Sequence, residues 1–264
     1  MNELNITNAA AYISSGRLEP RTIGEQKGEL SPQSESEAYR VQSEVHSIIS
    51  KKRGDEIIGW KIGCTTPVMQ SYLNIDEPCA GGIFKSTVYF EDALIKHTDF
   101  LNPGVECELA AFIDKDLEFI EKEHTYEVIS DAVGAIFPAI EIVDSRWNDY
   151  KTVNTFSLIA DDFFGAGCVL GRPETKWRNM DLKNIKGEMK INGSSVGQGK
   201  GEDILGDPIY ALVWLTKMLK KQGTYLKQGD IVMLGSLVQT NWVNQMDQVE
   251  VEIDGLGTAS VWFG

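Results

Sequence analysis

The first 55 residues place apolar and polar positions at helical spacing. Between residues 34 and 53, four apolar residues fall on one helical face: Val41, Val45, Ile48 and Ile49. Ser34 and Glu37 match a capping box in front of them, and Gly54 follows as a stop signal. We therefore predict an N-terminal helical region over residues 1–55.

Short apolar runs replace this pattern after residue 55. The run "IIGWKIGC" (57–64) is bounded by glycines and predicts a buried strand. Thr66 and Pro67 predict the start of a short helix that ends at Leu73, and a loop follows over 74–84. Further strand-like runs are "STVYF", "ALIKH", "VECELAAFI", "PAIEIVDS", "AGCVLG", "GEMKING", "GDIVMLGSL" and "QVEVEIDGLGTASVWF".

Two helices interrupt these strands. The first is predicted from Thr125 to Phe137. The second has Asp207 as N-cap, Pro208 at its first position and Gly223 as terminator. Strands around few helices, without regular βαβ alternation, predict an α+β fold with an antiparallel or mixed sheet. We expect residues 56–264 to form one catalytic domain after the helical region.

Composition and charge narrow the function. The 264 residues are 42% hydrophobic and 24% charged, as in ordinary globular proteins. A net charge of −14 repels polyanions, which argues against nucleic acid and anionic membranes as partners. An anionic substrate therefore needs a local cation, either a metal ion or a placed Lys or Arg. Four cysteines without a C-x-x-C pair, and no signal or spanning segment, predict a reduced, cytoplasmic location.

Three glutamates are the candidate metal ligands. Glu106 and Glu108 in "VECELA" would share one face of a strand with Cα atoms about 6.6 to 6.8 Å apart. Glu141 is the only charge from residue 135 to 143, and a lone buried carboxylate needs a cationic partner. Three carboxylates in a chain with only three histidines favour Mg²⁺ or Mn²⁺ over zinc.

The candidate glutamates, and a lysine inside the apolar run 57–64, each have a simpler structural interpretation. The E-x-E spacing recurs where a solvated face is the simpler explanation: Glu35 with Glu37, Glu121 with Glu123, and Glu250 with Glu252. The alternative is therefore a solvated strand face with Glu141 in a salt bridge. Lys61, inside the apolar run 57–64, either extends to solvent beside Trp60 or is a desolvated lysine of lowered pKa that moves protons.

Other catalytic patterns are missing. "GSSVGQGKGED" has Ser194 and Gly201 where a phosphate loop needs Gly and Ser or Thr, so we expect a turn between strands. The sequence contains no G-x-S-x-G motif. His46, His97 and His124 lie in helical or polar contexts that indicate surface positions.

Several segments together resemble the 2-keto-4-pentenoate hydratase branch of the fumarylacetoacetate hydrolase superfamily, which also contains 4-oxalocrotonate decarboxylases. These segments are "EAYRVQ" (37–42), "GWKIGCTTPVMQ" (59–70), "NIDEPCAGGIF" (74–84), "VECELA", "PAIEIVDSR" (138–146), "IADDFFGAGCVLG" (159–171), "LGDPIYALVWL" (205–215) and "LKQGDIVMLGSL" (226–237). The resemblance implies a mixed β-sheet roll, Mg²⁺ or Mn²⁺, a homo-oligomer and association with a pathway enzyme.

The resemblance also implies roles for individual residues. The metal ligands fall on Glu106, Glu108 and Glu141, and the active-site lysine on Lys61. The candidates for substrate binding are Ser236, which would hold a carboxylate oxygen, Ile83 and Phe84. The chain departs from the hydratase pattern at three positions: Cys79 replaces an Asp, Asp162 an Asn and Phe164 a Ser.

The leading hypothesis is a metal-dependent hydratase of a 2-hydroxy-2,4-dienoate or its 2-oxo-enoate tautomer. Lys61 would shuttle the proton, and Asp161 or Asp162 would assist before water adds at C4. Decarboxylation of a vinylogous 2-oxo diacid is one alternative, which the loss of Asp at Cys79 allows. Acylpyruvate C–C hydrolysis and a non-catalytic scaffold role are the others.

Overall fold

Two long helices precede the first strand. The computed structural model of the chain describes residues 1–19, 21–73, 75–119 and 122–264. Helix α1 spans Glu3–Leu18 and helix α2 spans Glu35–Arg53. The Ser34 side chain accepts a hydrogen bond from the α2 backbone, and Gly54 ends the helix in a left-handed conformation with φ 64°. The predicted ends of this helix are confirmed.

The remaining elements are strands interrupted by single helices. In chain order they are β1 (Ile57–Gly63), α3 (Pro67–Leu73), β2 (Cys79–Phe84), β3 (Val88–Phe90), β4 (Asp92–Ile95), β5 (Pro103–Ile113), α4 (Tyr126–Ala132), β6 (Val133–Asp144), α5 (Thr155–Ala160), β7 (Gly165–Leu170), β8 (Lys186–Ile191), β9 (Ser194–Lys200), α6 (Pro208–Lys221), β10 (Ile231–Trp242), β11 (Gln248–Ile253) and β12 (Gly257–Phe263). Asp207 caps α6, as predicted.

The strands form two mixed sheets. The larger sheet has the order β2-β1-β10-β5-β6-β7-β3, in which the β1–β10 and β3–β7 pairs are parallel. The smaller sheet has the order β4-β12-β11-β8-β9, in which the β12–β4 pair is parallel. The other pairs are antiparallel. This confirms the predicted α+β class with mixed sheets.

Strands β5 and β6 form the centre of the larger sheet. They pair residue by residue from Pro103 opposite Asp144 to Phe112 opposite Ala135, and both are buried along nearly their whole length. The helices before β1 pack onto this sheet, since the Gln42 side chain of α2 donates hydrogen bonds to carbonyls of β2 and α5. The division into residues 1–55 and 56–264 stays a prediction.

Two local predictions are wrong for physical reasons. The glycine-rich segment predicted as a loop contains β2, because Gly81 and Gly82 let the Asp162 and His46 side chains approach the strand. The helix predicted from Thr125 ends at Ala132, since the following apolar run pairs with β5. Such a run does not distinguish helix from strand by periodicity.

A third correction concerns residues 194–200. This part of the segment predicted as a turn is strand β9, which pairs with β8 along the edge of the smaller sheet. In the described part of the chain, no helix is both long and apolar enough to cross a membrane.

Candidate metal centre

Glu106 and Glu141 face each other across the central strands. They are direct partners in the β5–β6 register, and Glu108 follows two residues later on the same face of β5, opposite Ser236 of β10. One oxygen from each of the three carboxylates lies within 4.8 Å of the others. Glu108 and Glu141 are buried and Glu106 is partly buried. The alternative of a solvated strand face therefore does not describe these residues.

The three carboxylates differ in the hydrogen bonds that they accept. The Thr240 hydroxyl donates a hydrogen bond to Glu106, and the Gly235 backbone N–H donates one of 3.2 Å to Glu108. Gly235 has φ 128°, a conformation that favours glycine, and this turn aims its N–H at Glu108. Oε1 of Glu141 is buried without a hydrogen bond from any group that the structure describes.

Burial and mutual repulsion raise the pKa values of two of these carboxylates. Burial and repulsion by Glu141 raise the pKa of Glu106 to about 7. The same two causes raise the pKa of Glu108 well above its ordinary value. Three converging carboxylates, one of them with an oxygen that lacks a hydrogen bond, form an all-oxygen donor set of the kind that binds hard divalent cations. The residues present therefore fit Mg²⁺ or Mn²⁺.

Lys61 lies beside the carboxylates and is 4% exposed. Its Nζ is 3.2 Å from Oε1 of Glu141, an ion pair without hydrogen-bond geometry, and it donates a hydrogen bond of 3.0 Å to the Phe163 carbonyl. Burial works to lower the Lys61 pKa, but the charges of Glu141, Glu106 and the neighbouring thiols together outweigh it, and the pKa is raised. The hypothesis that the Lys61 pKa is lowered is therefore wrong when the protein's own groups alone surround it. Lys61 does not extend to solvent either.

The Phe163 carbonyl is positioned by unusual backbone. Asp162, Phe163 and Phe164 have φ values of 54°, 48° and 69°, so three consecutive residues with side chains adopt left-handed conformations. Each such residue costs roughly 1 to 2 kcal/mol. Strain of this kind persists where surrounding contacts impose it. Here those contacts include the hydrogen bond from Lys61 and the ion pairs of Asp162.

Asp162 is held by Arg17 and His46 rather than directed at Lys61. Its Oδ1 lies 2.7 Å from Nε2 of His46 and accepts a 3.0 Å hydrogen bond from the Gly82 N–H, while Arg17 pairs with Oδ2. Burial works to raise the Asp162 pKa, but His46 and Arg17 outweigh it and hold the pKa well below its usual range. His46 is therefore buried, and the prediction of a surface position is wrong for it.

Asp161 also pairs with Arg17, at 4.0 Å, but its hydrogen bonds come from two other residues. Its Oδ2 accepts hydrogen bonds of 3.1 Å from Nε of Arg146 and from the Trp147 indole. Burial raises the pKa of Asp161 although Arg146 opposes the shift. Among the described residues, neither Asp161 nor Asp162 forms an ion pair or hydrogen bond with Lys61. Both aspartates are bound by groups other than Lys61, and their assistance in proton transfer stays a prediction.

A cavity of about 230 Å³ opens beside Lys61 and Glu141. Ile83 and Phe84 line this cavity, as expected for residues that contact a substrate. Ser236 lies elsewhere, beside Glu108, and its hydroxyl donates to the Val238 carbonyl. The candidate site thus has a carboxylate cluster at one end and an open chamber next to it.

Three residues that hold the two aspartates were not identified as site residues from the sequence. Arg17, His46 and Arg146 form the ion pairs around the two aspartates. Arg17 and His46 are 145 and 116 residues away from Asp162 along the chain. Arg146 stands in "PAIEIVDSR", where a cation directly after a buried strand is a weak signal.

Known proteins resemble this chain over nearly its whole length. Residues 84–261 match the family described as fumarylacetoacetate (FAA) hydrolase C-terminal. The 2-keto-4-pentenoate hydratase 1 of Dechloromonas aromatica (strain RCB) is 33% identical over 263 residues, covering 98% of this chain and 97% of that protein. The 4-oxalocrotonate decarboxylase of Pseudomonas putida is 24% identical over 263 residues, covering 100% and 98%.

A solved structure shares the fold over the full length. The 4-oxalocrotonate decarboxylase from Pseudomonas putida G7, complexed with magnesium and adipate, has a TM-score of 0.93 at 22% identity. The match covers 100% of this chain and 99% of that one. The sheet arrangement around the carboxylate cluster is therefore one that solved proteins adopt.

Proposed function

Because this chain belongs to the fumarylacetoacetate hydrolase family, we propose that it is a divalent-metal-dependent lyase that adds water to a 2-hydroxy-2,4-dienoate or its 2-oxo-enoate tautomer. The product would be a 4-hydroxy-2-oxo acid. The observation that carries the proposal is the convergence of Glu106, Glu108 and Glu141 within 4.8 Å beside Lys61. The hydratase that is 33% identical along nearly the whole chain supports the same reaction.

The roles of the residues follow from their positions. We propose that the three glutamates hold Mg²⁺ or Mn²⁺. A cation there would bind the C1 carboxylate and the C2 oxygen of the substrate and stabilise the charge that develops on that oxygen. Lys61, held by the Phe163 carbonyl and Glu141, would donate and accept the proton during tautomerisation.

The residues around the glutamates and Lys61 would position other groups rather than take part in the reaction. Asp161 and Asp162 are occupied by Arg146, Arg17 and His46, so in this proposal they position the strained turn that carries the Phe163 carbonyl. Ile83 and Phe84 would contact the substrate's carbon chain, and Ser236 would support Glu106, to which its side chain hydrogen-bonds.

The proposal extends to assembly and location. Leu94 and Trp262 are direct partners in the β4–β12 pair, yet they are 75% and 48% exposed. Large apolar side chains exposed side by side on a sheet are typical of contact surfaces. We therefore propose a homo-oligomer that uses this surface and works in the cytoplasm, where free thiols persist.

Turnover of 2-hydroxypenta-2,4-dienoate tests the reaction. The purified protein should convert it to 4-hydroxy-2-oxopentanoate when Mg²⁺ or Mn²⁺ is present and should lose this activity after chelation. Absence of turnover over a panel of 2-hydroxy-2,4-dienoates, in protein that binds the metal, would remove the hydratase proposal.

A second candidate is decarboxylation of a vinylogous 2-oxo diacid. Cys79, at the position where the hydratase pattern has Asp, is buried with its Sγ 3.7 Å from Sγ of Cys64. Two thiols in contact do not supply a carboxylate to position water, whereas decarboxylation needs no positioned water. Release of CO2 from 4-oxalocrotonate, without a hydrated product, would decide for this reaction.

A further inference from the structure

Two thiols are in contact where β1 ends and β2 begins. Gly63 and Cys79 are direct partners at the end of the β1–β2 pair, and Cys64 follows immediately after β1. The Cys79 thiol donates a hydrogen bond to Sγ of Cys64 across a distance of 3.7 Å. In the part of the chain that the structure describes, no other pair of thiols shares a hydrogen bond. The contact is therefore specific to this junction of two strands.

The two thiols lie beside the proposed proton carrier. Sγ of Cys79 and Nζ of Lys61 are each 3.5 Å from the position that a Cβ would take at Gly63. Charge on either thiol acts on Lys61, and the charge of Lys61 acts on Cys64 in return. A change in the covalent state of the two thiols would therefore take place next to the candidate site.

The two cysteines differ in exposure and in backbone conformation. Cys79 is 1% exposed and begins β2, whose next residue, Ala80, donates its N–H to the Tyr39 hydroxyl. Cys64 is partly exposed and lies outside β1. Its φ of 59° is in the left-handed region, which is unfavourable for a residue with a side chain. Cys64 is therefore the thiol that a small oxidant in solution reaches first.

The two sulfurs are close enough for a local movement to join them. A disulfide needs a sulfur–sulfur distance of about 2.05 Å, so the sulfurs must approach each other from 3.7 Å. Rotation of both side chains and a small shift of the segment after β1 would supply this movement. The other two cysteines, Cys107 and Cys168, are buried in the larger sheet without such a neighbour among the described thiols.

We propose that Cys64 and Cys79 are a modification site that a peroxide converts into an intramolecular disulfide, and that the oxidised protein binds its metal cation more weakly. Hydrogen peroxide oxidises the Cys64 thiol to a sulfenic acid and is itself reduced, with release of one water. The Cys79 sulfur then attacks the Cys64 sulfur; the S–O bond breaks, the S–S bond forms and a second water leaves. The two sulfurs lose two electrons in total, and a thiol reductant reverses the reaction.

The disulfide would act on the metal centre through Thr65. Thr65 follows Cys64 and is 4% exposed, and its Cγ2 lies 2.7 Å from the position that a Cβ would take at Gly235. The Gly235 N–H in turn holds Glu108. Because these groups are closely packed, displacement of Cys64 toward Cys79 should shift Thr65 and Gly235 and weaken the hydrogen bond to Glu108. This part of the proposal rests on the proposed function, since it takes the three glutamates as metal ligands.

The environment of Cys64 also affects the speed of the reaction. The hydrogen bond with Cys79 and burial raise the pKa of Cys64. Because the thiolate and not the thiol is the nucleophile, oxidation is slow near pH 7 and becomes faster as the pH rises. Both thiols therefore persist under reducing conditions, and the disulfide forms on sustained exposure to peroxide.

Peptide mapping of the peroxide-treated protein tests the modification site. At about pH 8.5 the wild-type protein should lose two free thiols, yield a peptide in which Cys64 and Cys79 are cross-linked, and recover both thiols with dithiothreitol. Cys107→Ala, which removes a buried thiol of β5, should form the same disulfide. Cys64→Ser and Cys79→Ser should form no intramolecular disulfide.

Calorimetry of Mg²⁺ binding tests the effect on the metal centre. Oxidised wild-type protein should bind Mg²⁺ roughly tenfold more weakly than the reduced form, the factor expected from loss of a hydrogen bond to a charged group. Dithiothreitol should restore the affinity. Cys79→Ser should have the same affinity before and after peroxide treatment. Cys64→Ser provides the same comparison if thermal unfolding shows that Cys79→Ser does not fold.

Two results would overturn the proposal. Absence of the cross-linked Cys64–Cys79 peptide after exhaustive oxidation would exclude the disulfide. Equal Mg²⁺ affinity of the oxidised and reduced wild-type protein would exclude its effect on the metal centre. The proposed function fails separately: reduced wild-type protein that binds no Mg²⁺ would remove the metal centre and the effect of oxidation on it, whereas peptide mapping would still decide whether the disulfide forms.

Discussion

Nζ of Lys61 lies 3.2 Å from Oε1 of Glu141, although their strands are not neighbours. In the larger sheet β10 and β5 stand between β1 and β6, so a flat sheet would separate the two strands by about 14 Å. The sheet curls, since strands β2 and β7, five positions apart in this order, are in contact. The contact between these two side chains is a direct consequence of the rolled sheet.

Replacement of Lys61 should reduce catalysis more than metal binding. Lys61→Met removes the proposed proton carrier, and we expect kcat to fall by roughly 100-fold or more. The variant also leaves Glu141 without its ion pair, which costs about 3 to 5 kcal/mol of stability unless a cation is bound. Exchange of the C3 hydrogens of 2-oxopentanoate with D2O, followed by NMR, measures the proton transfer.

The control for this variant is Lys186→Met, which removes an exposed lysine from β8. This control should exchange protons at the wild-type rate. A Lys61→Met protein that folds, binds Mg²⁺ and keeps half of the wild-type rate would contradict the assignment.

Removal of a ligand carboxylate should abolish metal-dependent stabilisation. Mg²⁺ should raise the melting temperature of the wild-type protein, because the cation offsets repulsion among three buried carboxylates. The effect should be larger at pH 8 than at pH 6, since the pKa of Glu106 is about 7 and its proton must leave before a cation binds. Glu106→Gln and Glu141→Gln should lose the shift, measured by thermal unfolding and by metal content after dialysis.

Glu250→Gln is the matched control for the ligand variants. Glu250 belongs to an E-x-E pair on β11 and is partly exposed. We expect this variant to keep both its metal content and its stabilisation by Mg²⁺. Unchanged metal content in Glu106→Gln and Glu141→Gln would remove the basis of the metal centre.

Asp162 should make stability depend on pH in the acidic range. Its folded-state pKa lies below the ordinary value of about 3.9 that it has in an unfolded chain. Its contribution to stability is therefore complete above about pH 4 and is lost as the pH falls through the folded-state value. We expect Asp162→Asn to lower the free energy of unfolding by about 3 kcal/mol at pH 7 and to flatten its pH dependence below pH 4.

Urea unfolding at several pH values measures this effect. Asp254→Asn, which changes an exposed aspartate after β11, should follow the wild-type curve. A parallel pH dependence of Asp162→Asn and the wild-type protein would show that Asp162 is not the responsible group.

Alanine at position 235 should destabilise the protein more than alanine at position 193, although Gly235 and Gly193 both have positive φ. A Cβ at Gly235 would lie 2.7 Å from Cγ2 of Thr65, whereas a Cβ at Gly193 meets nothing within 4 Å. We expect Gly193→Ala to cost about 1 kcal/mol of stability, and Gly235→Ala to cost at least twice as much. Because the Gly235 N–H holds Glu108, the second variant should also bind Mg²⁺ more weakly in a titration. Equal costs in both variants would show that the space around Thr65 is not limiting.

The pattern of charged and apolar residues in the sequence was sufficient to single out the three candidate carboxylates. Alternation placed Glu106 and Glu108 on one face, and the isolation of Glu141 in an apolar run indicated that it needed a partner. The structure brings the three together through the β5–β6 register. Their roles as ligands stay a prediction until metal is measured.

The sequence could not provide the contacts between distant segments. Asp162 depends on Arg17 and His46, whose partners are set by how α1 and α2 pack on the sheet. Local patterns contain no information on that packing. For the same reason the glycines of β2 indicate a loop in the sequence, although their small size admits the Asp162 and His46 side chains to a strand.

The far wall of the chamber and its carboxylate end come from separate parts of the chain. Arg17 and Arg53, which line the far wall, belong to the segment before β1, whereas Glu106, Glu108 and Glu141 belong to β5 and β6. A chimera that exchanged the segment before β1 with that of a relative would therefore change one wall of the chamber and leave the carboxylate cluster unchanged. The two ends of the chamber can thus vary independently in sequence.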